Sequence, residues 1–238
     1  MALIVGSSPT APVCASWDIP RVTKTALNNA WRLRPDFDYA FYPGDFPEER
    51  RAPPDMPLRH VSIADYRPFL RTAGGRVFTG PTIAFASGYW ASAALRPAIL
   101  AYVGCDMTYD ATEDGSTHFY GRGSADPLRA SIALRSLEAK SARLFLKALI
   151  DGVLIVNVSE QPSTRLLFPR ASHELLGDNA RGVALRDAVL KLPALSGLEQ
   201  AVRQIEQKER RAPFARSRPD RIVATEEILR LIDEIDQE

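Results

Sequence analysis

The chain has 238 residues, 45% hydrophobic and 25% charged, which suits one sizeable core with an appendage. Its formal net charge of +1 provides no global field to gather nucleic acid, so no nucleic-acid partner is expected and partners have to be read from local features. Two cysteines, Cys14 and Cys105, are too few for a disulfide framework and stand in no metal-type spacing, which implies reduced thiols and a cytoplasmic setting.

Leu3-Ile4-Val5 reads as a first strand, since Met1 to Val5 lacks the basic region and cleavage site of a signal peptide. The turn Gly6-Ser7-Ser8-Pro9-Thr10 follows, with a glycine that permits close backbone approach and hydroxyls able to cap or bind. It is either a phosphate or ribose cradle or a plain β-turn, because the Gly-x-Gly-x-x-Gly fingerprint is absent. Lys24 to Leu27 predicts a second strand that ends in Asn28 and Asn29. Their amides offer both a donor and an acceptor, as reading a pyrimidine edge or a ribose hydroxyl requires. Alternatively, an Asn there simply tolerates a left-handed backbone. Phe37 to Tyr42 alternates as a third strand and stops at Pro43-Gly44-Asp45.

Residues 48–57, rich in Pro and charge, form a surface connection. Residues 58–63 suit a short edge strand and 64–72 a short helix. Beyond Arg76, the small residues of Gly80 to Trp90 lead into a helix ending near Leu95. A helix starting among Thr79, Gly80, Ser87 and Gly88 presents free N–H groups to a phosphate, although close helix-to-sheet packing asks for the same small residues.

Ala98 to Val103, bounded by Pro97 and Gly104, predicts a buried strand. It releases Gly104-Cys105-Asp106-Met107-Thr108-Tyr109 and then Thr117-His118-Phe119-Tyr120-Gly121, delivering polar groups to the carboxyl edge of a sheet, where open α/β folds bind ligands. Asp126 and Pro127 read as the start of a long amphipathic helix, with Ile132, Leu137, Leu144 and Leu149 on its apolar face, ending near Ile150. Val153 to Val158 is the next strand. Alternating strands and helices predict an α/β domain over 1–170 with a mostly parallel sheet and helices on both faces.

From Ala171 the chain turns helical in period over 175–192, 198–211 and 225 to the end, giving a helical extension over 171–238. No apolar run approaches the roughly 18 residues of a membrane span. The basic, proline-broken stretch 208–219 either rests weakly on an anionic glycolipid surface or pairs with the acidic last helix. That last helix, with Ile228, Leu231, Ile232 and Ile235 on one face, packs on the domain or on a second copy in a homo-oligomer.

In this order, the turn at 6–10, Asn29, Phe41 to Phe46, Ser87-Gly88, Gly104 to Tyr109, His118 to Gly121, the helix at 142–147, the strand at 153–158 and the run at 162–167 resemble the bacterial lipo-oligosaccharide sialyltransferases. The resemblance covers roughly residues 2–170. It implies a Rossmann-like variant of the glycosyltransferase A fold, a CMP-sugar co-substrate, no required cofactor or divalent metal, and a glycan or glycolipid acceptor at the inner membrane face.

Carried over by position, the resemblance implies that His118 is the general base, that Tyr109 stabilises the leaving phosphate, and that Gly6 to Pro9, Asn29 and Ser87-Gly88 contact CMP, with Thr79-Gly80 as the alternative placement of the last motif. Asn28 and Asp106 join this candidate set, Asp106 chiefly as architecture. The chemistry suits those residue types: an imidazole with an ordinary pKa near ~6.5 accepts a proton at neutral pH, and a phenol can donate to a departing phosphate. The short segment between Tyr109 and His118 implies a more open site than the family's.

Two other readings stay open. A pterin-pyrophosphokinase-like enzyme would use Asp106 and Asp110 to hold Mg²⁺ for phosphoryl transfer. A non-catalytic relative would keep a vestigial nucleotide pocket and use its helical tail for assembly.

Overall fold

The computed structural model describes residues 1–80, 82–108, 112, 115–121 and 137–211. Six strands form one sheet: β1 (Ala2–Val5), β2 (Thr23–Leu27), β3 (Tyr39–Phe41), β4 (Arg59–Val61), β5 (Ile99–Val103) and β6 (Leu154–Asn157). All five pairings are parallel, in the order β4-β3-β2-β1-β5-β6. This is the expected α/β, Rossmann-like architecture. Every residue of β1, β5 and β6 is buried, as parallel strands covered on both faces require.

Six helices accompany the sheet among the described residues: α1 (Ile63–Thr72), α2 (Arg76–Thr79), α3 (Ile83–Ala94), α4 (Leu137–Ile150), α5 (Asn179–Leu190) and α6 (Leu198–Arg211). The alternation of β5 shows how both faces are covered. Tyr102 points to one face, where its hydroxyl donates to the Ala84 carbonyl of α3 at 3.1 Å. Ile99 points to the other, where Gly182 of α5 is small enough to admit it and Met1. On the α3 face, Phe41 of β3 stacks on Tyr66 of α1 at 4.6 Å and meets Trp90 of α3 at 5.4 Å.

Helical caps follow local sequence. Ser62 and Asp65 form a reciprocal capping box at α1, Thr82 accepts from the Phe85 amide at α3, and Asp178 accepts from Ala180 and Arg181 at α5.

Residues 171–211 share the core of the preceding domain. Leu175, Leu176, Leu185, Val189, Leu195 and Val202 belong to the same hydrophobic cluster as β1 and β5. Trp17 stacks on His173 at 4.5 Å, and Arg143 of α4 reaches Glu206 of α6. The first four residues of the basic stretch 208–219 belong to α6; its remainder, the helix expected over 225–238 and the cap at 125–127 lie outside the described residues. Among the described residues no helix is long and apolar enough to cross a membrane.

Candidate functional site

The chain moves outward from β1 through β2 and β3 to β4, then returns to place β5 on the other side of β1. The strand order therefore reverses between β1 and β5, and a crevice at such a reversal, beyond the carboxyl ends of the strands, is where open α/β sheets take ligands. Val5 is registered with Ala26 of β2 and Val103 of β5, so the chains leave the sheet side by side at Gly6, Leu27 and Gly104.

The floor of this edge is two turns laced together. The Gly6 amide donates to the Val103 carbonyl at 2.8 Å, and the Ser8 amide to the Gly104 carbonyl at 3.0 Å. A Cβ on Gly6 would run into the Gly104 carbonyl and come within 2.6 Å of the Cys105 Sγ, so only glycine fits. Ser8 Oγ pairs with Thr10 Oγ1 at 2.9 Å, and the Ser8 carbonyl accepts from Ala11, which starts a short 3₁₀ turn over Ala11–Ser16. Ser7 and Pro9 are half-buried beside them. Burial pushes the Cys105 thiol well above its ordinary pKa, with the nearby Asp106 carboxylate adding to the effect.

His118 is carried by a tight turn closed from both ends: its amide donates to the Gly121 carbonyl at 3.2 Å and the Gly121 amide to its carbonyl at 3.0 Å. The Phe119 amide donates to the Ser7 carbonyl at 3.2 Å, which docks the whole turn on the β1 edge. Nδ1 of His118 lies 2.9 Å from Thr117 Oγ1, and its ring stacks on Tyr120. Tyr109 and Asp110 lie outside the described residues.

At the end of β2 the backbone of Asn28 is left-handed, with φ of 52°, as Asn tolerates better than most residues. Asn29 is buried at 4% exposure. The Oδ1 atoms of both have no hydrogen-bond partner among the described residues. Buried polar atoms are ordinarily satisfied, so these two acceptors at the end of β2 are exceptions among the described residues.

Asp106 has the architectural role. It is buried at 1% exposure, Oδ1 accepts from Asn157 Nδ2 at 3.1 Å, and Oδ2 accepts from Ser159 Oγ at 2.5 Å. Its carbonyl also accepts from the Arg165 amide at 2.9 Å. The carboxylate thereby clips the end of β5 to the end of β6 and holds the left-handed Met107, at φ 57°, in place. Among the described residues no three His, Cys, Asp or Glu side chains are grouped so as to hold a metal ion.

The helix-start placement needs correction. α3 begins at its Thr82 cap, so Ser87 and Gly88 lie in its second turn rather than at its start. Ser87 is fully buried and its Oγ donates to the Ala84 carbonyl at 2.9 Å. Gly88 leaves the room that the Tyr102 hydroxyl and Leu144 fill. Thr79 is also fully buried and donates to the Gly75 carbonyl at 3.2 Å, while Gly80, at φ 81°, turns the chain over Phe85 and Lys140. Packing against β5 and α4 selects these small residues, and the structure does not bring Ser87 or Gly88 to the crevice.

Asn157 and Ser159, the partners of Asp106, were not among the sequence candidates. Their signal was the Asn-x-Ser pattern interrupting the apolar run of β6, where a buried amide needs a partner. Comparison with family models, with characterised proteins and with solved structures finds no match for this chain.

Proposed function

We propose that the chain is a metal-independent glycosyltransferase that moves a sugar from a CMP-sugar to a hydroxyl of a glycan or glycolipid. One observation carries this reading: the turn bearing His118 is bonded through Phe119 to Ser7, at the strand edge where β2 ends in the orphan acceptors of Asn28 and Asn29. The sequence resemblance supplies the reaction class. The orphan carbonyls suit the amino group of a cytosine or the hydroxyls of a ribose, both of which can donate to them.

In this reading His118 takes the proton from the acceptor hydroxyl while that oxygen bonds to the anomeric carbon of the donor. The bond from the anomeric carbon to the phosphate oxygen breaks, its electron pair leaves with CMP, and the imidazolium later passes its proton to solvent. Tyr109 is assigned by the resemblance alone to donate a hydrogen bond to the departing phosphate. The work belongs to lipopolysaccharide assembly at the cytoplasmic face of the inner membrane, where the basic stretch 208–219 would meet anionic headgroups.

The test is transfer from a CMP-sugar to a panel of glycan and glycolipid acceptors in EDTA. His118→Ala is expected to lower the rate by about 10²–10⁴ while CMP affinity stays within about two-fold. Transfer that survives the substitution unchanged would remove His118 from the mechanism. Activity that appears only with a nucleoside triphosphate and magnesium would favour phosphoryl transfer instead.

A further inference from the structure

A general base meets its substrate with a nitrogen that carries no proton, and a neutral imidazole has only one such nitrogen. Which one it is depends on the hydrogen bond that holds the other. The His118 imidazole lies against the Tyr120 ring, with centroids 5.0 Å apart and planes 23° apart. A half-turn of the imidazole about its bond to Cβ would keep that stack but put a carbon where Nδ1 stands, losing the 2.9 Å contact with Thr117 Oγ1. The stack sets the plane of the ring, and the Thr117 contact sets which edge of it carries Nδ1. Two backbone hydrogen bonds close the turn beneath and a third docks it on Ser7, so the two side chains share a firm support. Both residues are half-buried, which limits the competition of water for the contact.

The Thr117 hydroxyl can donate to Nδ1 or accept the proton that Nδ1 carries. In the first case the proton of the neutral ring sits on Nε2, which then cannot act as a base. In the second, Nε2 keeps an unprotonated lone pair. We infer that Thr117 is a positioning residue for the base: its Oγ1 accepts from Nδ1–H and so leaves Nε2 to take the proton of the acceptor hydroxyl. During transfer that proton forms its new bond to Nε2, and the imidazolium carries a proton on each nitrogen. Thr117 Oγ1 goes on accepting from Nδ1, now from a charged donor, which strengthens the bond. One contact thus orients the ring before the proton moves and stabilises the cation afterwards. The inference rests on the transferase reading for the choice of Nε2, but the tautomer is a property of the full chain without substrate.

The experiment is long-range ¹H–¹⁵N NMR of the histidine rings in the ¹⁵N-labelled full chain, held at a pH where His118 is neutral. The chain has three histidines, and the signals lost in His118→Gln assign this one. The wild-type ring is expected to carry its proton on Nδ1. Thr117→Val, which keeps the branched shape and removes the hydroxyl, is expected to shift the tautomer ratio toward Nε2–H by about two- to ten-fold, the worth of one ordinary hydrogen bond. Thr117→Ser is expected to restore it. In transfer from a CMP-sugar, kcat of Thr117→Val is expected to fall by a similar factor with KM for the donor within about two-fold. A wild-type ring protonated mainly on Nε2, a measurement that needs no variant to fold, overturns the inference. So does a tautomer ratio that is the same in Thr117→Val. A wild-type Nδ1–H ring that responds to Thr117→Val in a chain that transfers no sugar would uphold the hold of Thr117 on His118 and refute the transferase reading.

Discussion

Gly6 and Gly104 meet backbone to backbone at the reversal of the sheet: a Cβ on Gly6 would strike the Gly104 carbonyl, and one on Gly104 would lie 2.6 Å from the Ala11 Cβ. Neither obstruction is the flexible end of a long side chain. Gly6→Ala is expected to destabilise the fold by about 1–3 kcal/mol through forced separation of the two turns. Urea unfolding measures the loss, and nucleotide affinity is expected to fall with it because Ser7 and the His118 turn ride on the same backbone. Stability equal to wild type would show that the two turns separate without cost.

Asn29→Ala tests ligand binding apart from folding. Its buried Oδ1 has no partner among the described residues, so removing the amide forfeits no hydrogen bond there. Asn29→Ala is expected to leave stability within about 1 kcal/mol of wild type while weakening CMP binding about ten-fold or more. Thermal melts and titration calorimetry on one preparation decide it. Unchanged CMP affinity would mean the orphan acceptor serves some other purpose.

Arg143 ties four elements together. Its guanidinium is 3% exposed, donates to Glu206 of α6 at 2.5 and 2.9 Å, to the Tyr89 hydroxyl at 2.7 Å and to the Ala73 carbonyl at 2.8 Å, and lies 5.2 Å from the Phe78 ring centroid. Glu206→Ala leaves a buried cation short of its counter-charge. Glu206 is itself 24% exposed, so water recovers part of the loss and the expected cost is about 1–3 kcal/mol. Pairing Arg143→Met with Glu206→Leu is expected to recover most of it, as a double-mutant cycle in urea would reveal.

Acid sensitivity is expected at the amino end of β2. A hydrogen bond from Arg34 holds Asp36 down at about 2 against an ordinary 3.8, with Lys24 adding attraction. A carboxylate depressed in the folded state adds stability that is fully present above its unfolded value and is lost as pH falls from about 4 toward 2. Asp36 is 46% exposed, so solvent screening keeps the effect under about 1 kcal/mol. Asp36→Asn is expected to flatten that part of the stability profile. An unaltered acid limb would show that other carboxylates govern it.

The strands were legible because parallel strands buried on both faces are written as continuous apolar runs, as in Ile99–Val103 and Leu154–Asn157. The start of α3 was not. Small residues recur from Thr79 to Gly88, and only the Thr82 cap and the room Gly88 leaves for Tyr102 fix which of them begin the helix. The attachment of residues 171–211 was hidden for a related reason: the charge of Arg143 reads as a solvent-facing position until α6 covers it. The close backbone approach at Gly6 and the left-handed backbone at Asn28 were readable from local chemistry. The Asp106 clip was not, because Asn157 and Ser159 lie 51 and 53 residues away in sequence.

Titration calorimetry of CMP into the full chain in EDTA decides whether this strand edge is a nucleotide site. One-to-one binding without metal is expected, retained in His118→Ala and weakened about ten-fold or more in Asn29→Ala. Absence of CMP binding by the folded wild-type chain would contradict it.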